Sequence, residues 1–107
     1  MIKLRIYQDK RGKEPFTEWY SALKDLKTQA RVRNRIRRVE TGNLGDCKPI
    51  GGGVSELRLN FGAGYRVYFG EVGGEIILLL CGGDKGTQAR DIKKAQAYFT
   101  SYKESRR

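Results

Sequence analysis

The chain has 107 residues, with 22 Lys or Arg against 12 Asp or Glu, no histidine and a net charge of +10. That length holds one modest core and leaves no room for separate catalytic and recognition domains, so a single domain over 1–107 is expected. With 38% hydrophobic and 32% charged residues, and no apolar run near 18 residues, a membrane span is excluded, and the basic excess favours an anionic partner: RNA, DNA, the ribosome or an acidic protein.

The first segment, IKLRIYQ, alternates, with Ile2, Leu4 and Ile6 on one side and Lys3, Arg5 and Tyr7 on the other. It reads as a half-buried strand. The N-terminus has neither the apolar stretch nor the small-residue cleavage site of a signal peptide, so the cytoplasm is the expected compartment. Glu14 to Leu23 carries Phe16, Trp19, Tyr20 and Leu23 at helical spacing, with Pro15 in the first turn. Phe16 and Trp19 are assigned to the core.

A second helix is predicted from about Leu26 to Thr41. Its apolar stripe is Leu26, Ala30, Val32 or Arg33, Ile36 and Val39, and Gly42 ends it. Arg31, Arg33, Arg35, Arg37 and Arg38 lie on the same helix. Five arginines in eight residues cannot all face a core, so most form a basic outer surface. Arg31, Arg35 and Arg38 are the candidate RNA contacts, with a solvated helix face as the competing reading. The next segment, GNLGDCKPIGGG, is a loop by composition.

Val54 to Phe61 alternates, with Leu57, Leu59 and Phe61 on one face and Glu56, Arg58 and Asn60 on the other. Gly62-Ala63-Gly64 is the expected hairpin loop. Tyr65, Val67 and Phe69 then share the apolar face, opposite Arg66 and Tyr68. A three-residue loop pairs Phe61 with Tyr65, Leu59 with Val67 and Leu57 with Phe69. On the other face it pairs Asn60 with Arg66 and Arg58 with Tyr68, leaving Arg58 and Arg66 as diagonal neighbours within reach of one anion. Tyr68 and Asn60 share that basic face, and Tyr68 is a candidate for stacking on a base.

Gly73-Gly74 marks another turn. Ile76 to Cys81 is apolar on both faces, which predicts a central strand covered on both sides. It leads into GGDKG, from which Lys85 projects. Gln88 to Tyr102 has Ile92, Ala95, Tyr98 or Phe99, and Tyr102 at helical spacing, followed by a basic tail. Cys81 reads as a small buried hydrophobe and Cys47 as a loop residue, with no disulfide expected in a reducing compartment. No Cys or His cluster has metal-ligand spacing, so neither metal nor cofactor is expected.

These elements give an α+β domain, β-α-α-β-β-β-α, with a small, mostly antiparallel twisted sheet flanked by helices. On the segments SELRLNFGAGYRVYF and ILLLCGGDKGTQARDI, the chain resembles the RelE/HigB superfamily of toxins from type II toxin–antitoxin modules. It is most similar to the phage-derived addiction-module killer subgroup. The resemblance implies a RelE-like fold and a ribosome-dependent, metal-independent mRNA endonuclease acting in the A site. It also implies two partner classes: a cognate helix-turn-helix antitoxin, and the ribosome with its mRNA.

Carried over residue by residue, the resemblance assigns Arg66 to the arginine that clamps the scissile phosphate. Arg58 matches a basic residue one strand earlier, and Lys85 one after the fourth strand. A phosphorane gains negative charge, and preorganised guanidinium groups stabilise it. The sequence departs from the family pattern in two ways: Glu56 stands where some relatives carry a second basic residue, and Gln88 and Asp91 occupy the region of a C-terminal tyrosine or histidine. The expectation is that Glu56 accepts the 2′-OH proton, Lys85 or Arg66 assists the leaving 5′ oxygen, and Gln88 contacts RNA. The blander readings are an Arg58–Glu56 salt bridge and a Lys85–Asp84 loop pair. The rival functions are ParE-like inhibition of DNA gyrase and non-enzymatic RNA binding.

Overall fold

The computed structural model describes residues 2–106. Eight regular elements follow in order: β1 (Lys3–Ile6), α1 (Pro15–Ala22), α2 (Leu26–Glu40), β2 (Cys47–Gly51), β3 (Val54–Leu59), β4 (Tyr65–Val72), β5 (Ile76–Gly83) and α3 (Gln88–Ser105). A single 3₁₀ turn, Lys85–Thr87, links β5 to α3. The strands form one mixed sheet in the order β1-β5-β4-β3-β2, parallel between β1 and β5 and antiparallel elsewhere. No helix among the described residues is long and apolar enough to cross a membrane.

Each face of the sheet carries its own core. Phe16, Val32, Ile36 and Val39 from α1 and α2 pack on Leu57, Leu59, Val67, Phe69, Ile77 and Leu79. Ala95 and Phe99 of α3 pack on Val54, Tyr68, Leu78 and Leu80 of the opposite face. The helix starts follow local chemistry. Asp25 caps α2 by accepting from the Lys27 amide at 3.1 Å and the Thr28 hydroxyl at 2.9 Å. Two glycines let aromatic rings lie directly on the sheet: a Cβ on Gly82 would fall inside the Trp19 indole, and one on Gly70 would sit 2.5 Å from the Phe99 ring.

Five expectations are corrected. The segment read as a loop contains β2, an edge strand pairing Cys47 with Leu57, Lys48 with Glu56 and Pro49 with Ser55. Pro49 is tolerated because an edge strand has one side free of partners. The β3–β4 register is displaced by two residues: Leu59 faces Tyr65, Leu57 faces Val67, Arg58 faces Arg66 and Glu56 faces Tyr68. Residues 60–64 form a five-residue loop, closed by bonds from the Phe61 amide to the Leu59 carbonyl at 2.9 Å and from the Gly64 amide to the Phe61 carbonyl at 3.0 Å. A shift of two keeps every side chain on its predicted face. Ile6 at the end of β1 is 42% exposed whereas Tyr7, just beyond the strand, is buried, and Leu26 at the start of α2 is 78% exposed. Finally, β5 is buried on both faces as expected, but the central strand is β4.

Candidate functional site

Alternation along β3 and β4 places Glu56, Arg58, Arg66 and Tyr68 on the face that α3 covers. The helix begins level with Glu56, where Gln88 donates from Nε2 to Glu56 Oε2 at 2.8 Å. It then runs toward Gly70, so the Arg58–Arg66 end of the face lies beyond its first turn. Local backbone sets the rest: the Lys85 amide is bonded to the Ala63 carbonyl at 3.4 Å, which ties the β5–α3 turn to the hairpin loop.

Glu56 is the hub of this cluster and is only 1% exposed. Besides Gln88 it accepts from Arg58 Nε at 3.1 Å and from the Tyr68 hydroxyl at 3.0 Å, and Arg66 Nε lies 3.9 Å away. Burial pushes its pKa up, but the hydrogen bonds from Gln88, Arg58 and Tyr68 more than offset this and hold it below the ordinary glutamate value. Tyr68 responds in the opposite sense: burial, then its bond to Glu56, raise its pKa well above the ordinary phenol range. The Glu56 bond raises Arg58 further, so the cation is permanent.

The three cations differ in access. Arg58 has about a third of its side chain exposed, at 32%, and Arg66 only 10%. Arg66 Nη1 donates to the carbonyls of Gly64 at 3.0 Å and Tyr65 at 3.2 Å, which fixes its plane. Lys85 is exposed, and its stem flanks Gly64: a Cβ there would lie 3.3 Å from Lys85 Cβ and 3.6 Å from Arg66 Nη1. The alternative pairing of Lys85 with Asp84 does not occur among the described residues. Asp84 instead caps the turn, accepting from the amides of Gly86 and Thr87.

The expected RNA contacts divide. Tyr68 is fully buried and cannot stack on a base; its ring belongs to the core under α3, and its hydroxyl serves Glu56. Arg35 is also buried rather than part of an outer surface, because its Nη2 donates to the carbonyls of Leu44 at 2.6 Å and Asp46 at 3.3 Å. Gln88 is half-buried and committed to Glu56. Glu56 is almost fully buried and both of its oxygens are engaged, by Arg58, Tyr68 and Gln88, a placement that favours orienting the arginines over taking a proton. Arg31, Arg38 and Asn60 are exposed.

A cleft of about 450 Å³ runs between α2 and the β3–β4 hairpin, and it brings Arg31, Arg35, Arg38, Arg58 and Asn60 together. Sequence reasoning missed Asn34, Asp46 and Phe61, which also line it. The signal for the helical part was present: 31, 34, 35 and 38 follow the i, i+3, i+4, i+7 rule for one helix face. Phe61 carries the Arg31 guanidinium 4.8 Å above its ring, and Asn60 donates to Asp46 Oδ2 at 2.9 Å.

No family model matches the chain. An uncharacterized protein of Haemophilus influenzae is 48% identical over 81 residues, which cover 76% of this chain and 82% of that protein. At that identity and coverage, the chain belongs to the same family as the Haemophilus influenzae protein.

Proposed function

We propose that the chain is a RelE/HigB-like toxin of a type II toxin–antitoxin module, acting as a ribosome-dependent mRNA endonuclease that stops translation. The observation that carries this reading is the cation cluster: Arg58 directly opposite Arg66, Lys85 beside Arg66, and a buried Glu56 holding both guanidinium groups. The element order supports it at the level of fold. We read the observed order, one strand, two helices, four strands and a helix, as a RelE-like order with one edge strand, β2, added before the hairpin.

In the proposed reaction the ribose 2′ oxygen attacks the adjacent phosphorus and the P–O5′ bond breaks. The products are a 2′,3′-cyclic phosphate and a 5′-hydroxyl. Arg66 and Arg58 bind the non-bridging oxygens and stabilise the charge that builds on them. Lys85 Nζ, the exposed cation, gives a proton to the departing 5′ oxygen. Glu56 orients the two arginines, and the 2′-OH proton passes to solvent or to the ribosomal side of the site. No metal is required by this scheme. The exposed arginines of α2 face rRNA, and a small helix-turn-helix antitoxin covers the basic surface with acidic segments.

The test is primer extension on a defined mRNA in a reconstituted translation reaction, with wild type and Arg66→Ala in parallel. Ribosome-dependent cuts at A-site codons, lost in the variant, are expected. Intact mRNA with folded wild-type protein would overturn the reading in favour of gyrase inhibition or plain RNA binding.

A further inference from the structure

We infer that the cleft between α2 and the β3–β4 hairpin is a second phosphate-group site, with Arg35 as its buried donor and Arg31, Arg38 and Arg58 around it. Arg35 lines the cleft and is 9% exposed. Its Nη2 is satisfied by Leu44 and Asp46, but its Nη1 is buried with no hydrogen-bond partner among the described residues. A buried guanidinium N–H left unpaired is costly, and a site that repeatedly bound an anion would explain it.

The surroundings point the same way. Four guanidinium groups line the cleft against one carboxylate, Asp46, whose Oδ2 is already engaged by Asn60. Burial and the neighbouring Arg38 charge press the Arg35 pKa downward, so the positive charge there is under-compensated. An anion between Arg35 and Arg38 would relieve both strains. Gly45 preserves the space. It has φ +59°, and a Cβ there would sit 2.7 Å from Arg35 Nη2. Arg31 is steadied on Phe61 at the mouth. A planar fork is the donor best matched to phosphate oxygens.

The phosphate has two possible sources: a backbone phosphate of single-stranded RNA, or free inorganic phosphate. Arg58 borders both this cleft and the Arg66 cluster, so a strand held at Arg66 passes into the cleft without leaving cationic surface. The site is read by binding alone, and its failure is therefore distinguishable from a failure of the cleavage reading.

The experiment is an NMR titration of the intact chain with inorganic phosphate and, separately, with a ten-nucleotide single-stranded RNA. The amides of Leu44, Gly45 and Asp46 are expected to shift in a saturable way with both. Arg31→Gln and Arg38→Gln alter exposed side chains, and each should weaken RNA binding several-fold. Each should also flatten the slope of log affinity against log salt by about 0.7. Arg35→Lys keeps the charge but loses the fork, and should weaken phosphate binding several-fold with the fold intact. Shifts with both ligands assign the site to an RNA backbone, and shifts with phosphate alone assign it to the free anion. If the Arg66 amide moves while Leu44, Gly45 and Asp46 stay still with both ligands, the site does not exist.

Discussion

Arg58 and Arg66 face each other directly across the β3–β4 ladder. Like charges at that position repel, and the pairing is held by the Glu56 carboxylate, bonded to Arg58 at 3.1 Å and 3.9 Å from Arg66. One carboxylate against two guanidinium groups leaves a net positive site, completed on its open side by Lys85. A bound phosphate would finish the neutralisation.

Arg66 is the least exposed of the three cations and the most rigidly held, so its loss should matter most. Arg66→Ala is expected to lower cleavage by about 10²–10³-fold, the range for removing one preorganised donor from a transition state. Primer extension with quantified band intensities measures it. A loss under tenfold would remove Arg66 from the clamp.

Glu56→Gln separates positioning from proton transfer. If Glu56 only orients the arginines, cleavage falls at all pH values and the shape of the pH–rate profile is unchanged. If it is the base, the acidic limb of the profile disappears. Because Glu56 titrates below the ordinary glutamate value, its limb lies at the acid end of the profile, and single-turnover rates carried down to about pH 4 distinguish the two.

The same variant bears on stability. The folded-state pKa of Glu56 lies below its unfolded value. Its contribution is therefore fully present above the unfolded glutamate pKa of about 4.3 and is lost as pH falls through the lower folded value. Glu56→Gln should cost about 3 kcal/mol at neutral pH, the low end for breaking a buried ion pair. It should also flatten the loss of stability expected of the wild type as pH falls below about 4.3. Urea denaturation at several pH values is the measurement.

Tyr68→Phe removes the hydroxyl from Glu56 and nothing from the surface. A hydrogen bond to a charged group contributes roughly 1.5–3 kcal/mol, so the melting temperature should drop. RNA affinity should be unchanged, because the ring is fully buried. Weaker RNA binding by the folded variant would contradict that placement.

Cys81 is buried, and its pKa is pushed up to about 12, by burial first and then by Asp91. It should resist iodoacetamide at pH 8 in the native protein. Cys47 is half-buried with a raised pKa and should react slowly. Both should react fully in denaturant, as read by mass spectrometry.

Much of this molecule is written in local pattern. Two-residue alternation places Glu56, Arg58, Arg66 and Tyr68 on one face, and helical spacing places Val32, Ile36 and Val39 inside. Because a register shift of two preserves the face, the prediction that both arginines share a surface survived an error in the loop length. The edge strand β2 was hidden because its proline and the glycines on either side dominate the composition, while its pairing with β3 comes from residues outside it.

What local pattern could not supply was depth. Arg35 and Arg38 are both arginines on one helix, yet one is buried under the α2–β2 loop and the other is exposed. Tyr68 alternates onto the basic face, but α3, arriving from far along the chain, covers it and leaves Arg58 in the open. Glu56 looks in sequence like a free carboxylate, and only the convergence of Gln88, Tyr68 and two arginines makes it a buried anion. Side-chain direction follows from neighbours one to four residues away. Burial, pKa and partnership depend on which distant segments pack above, and so only the tertiary structure decides them.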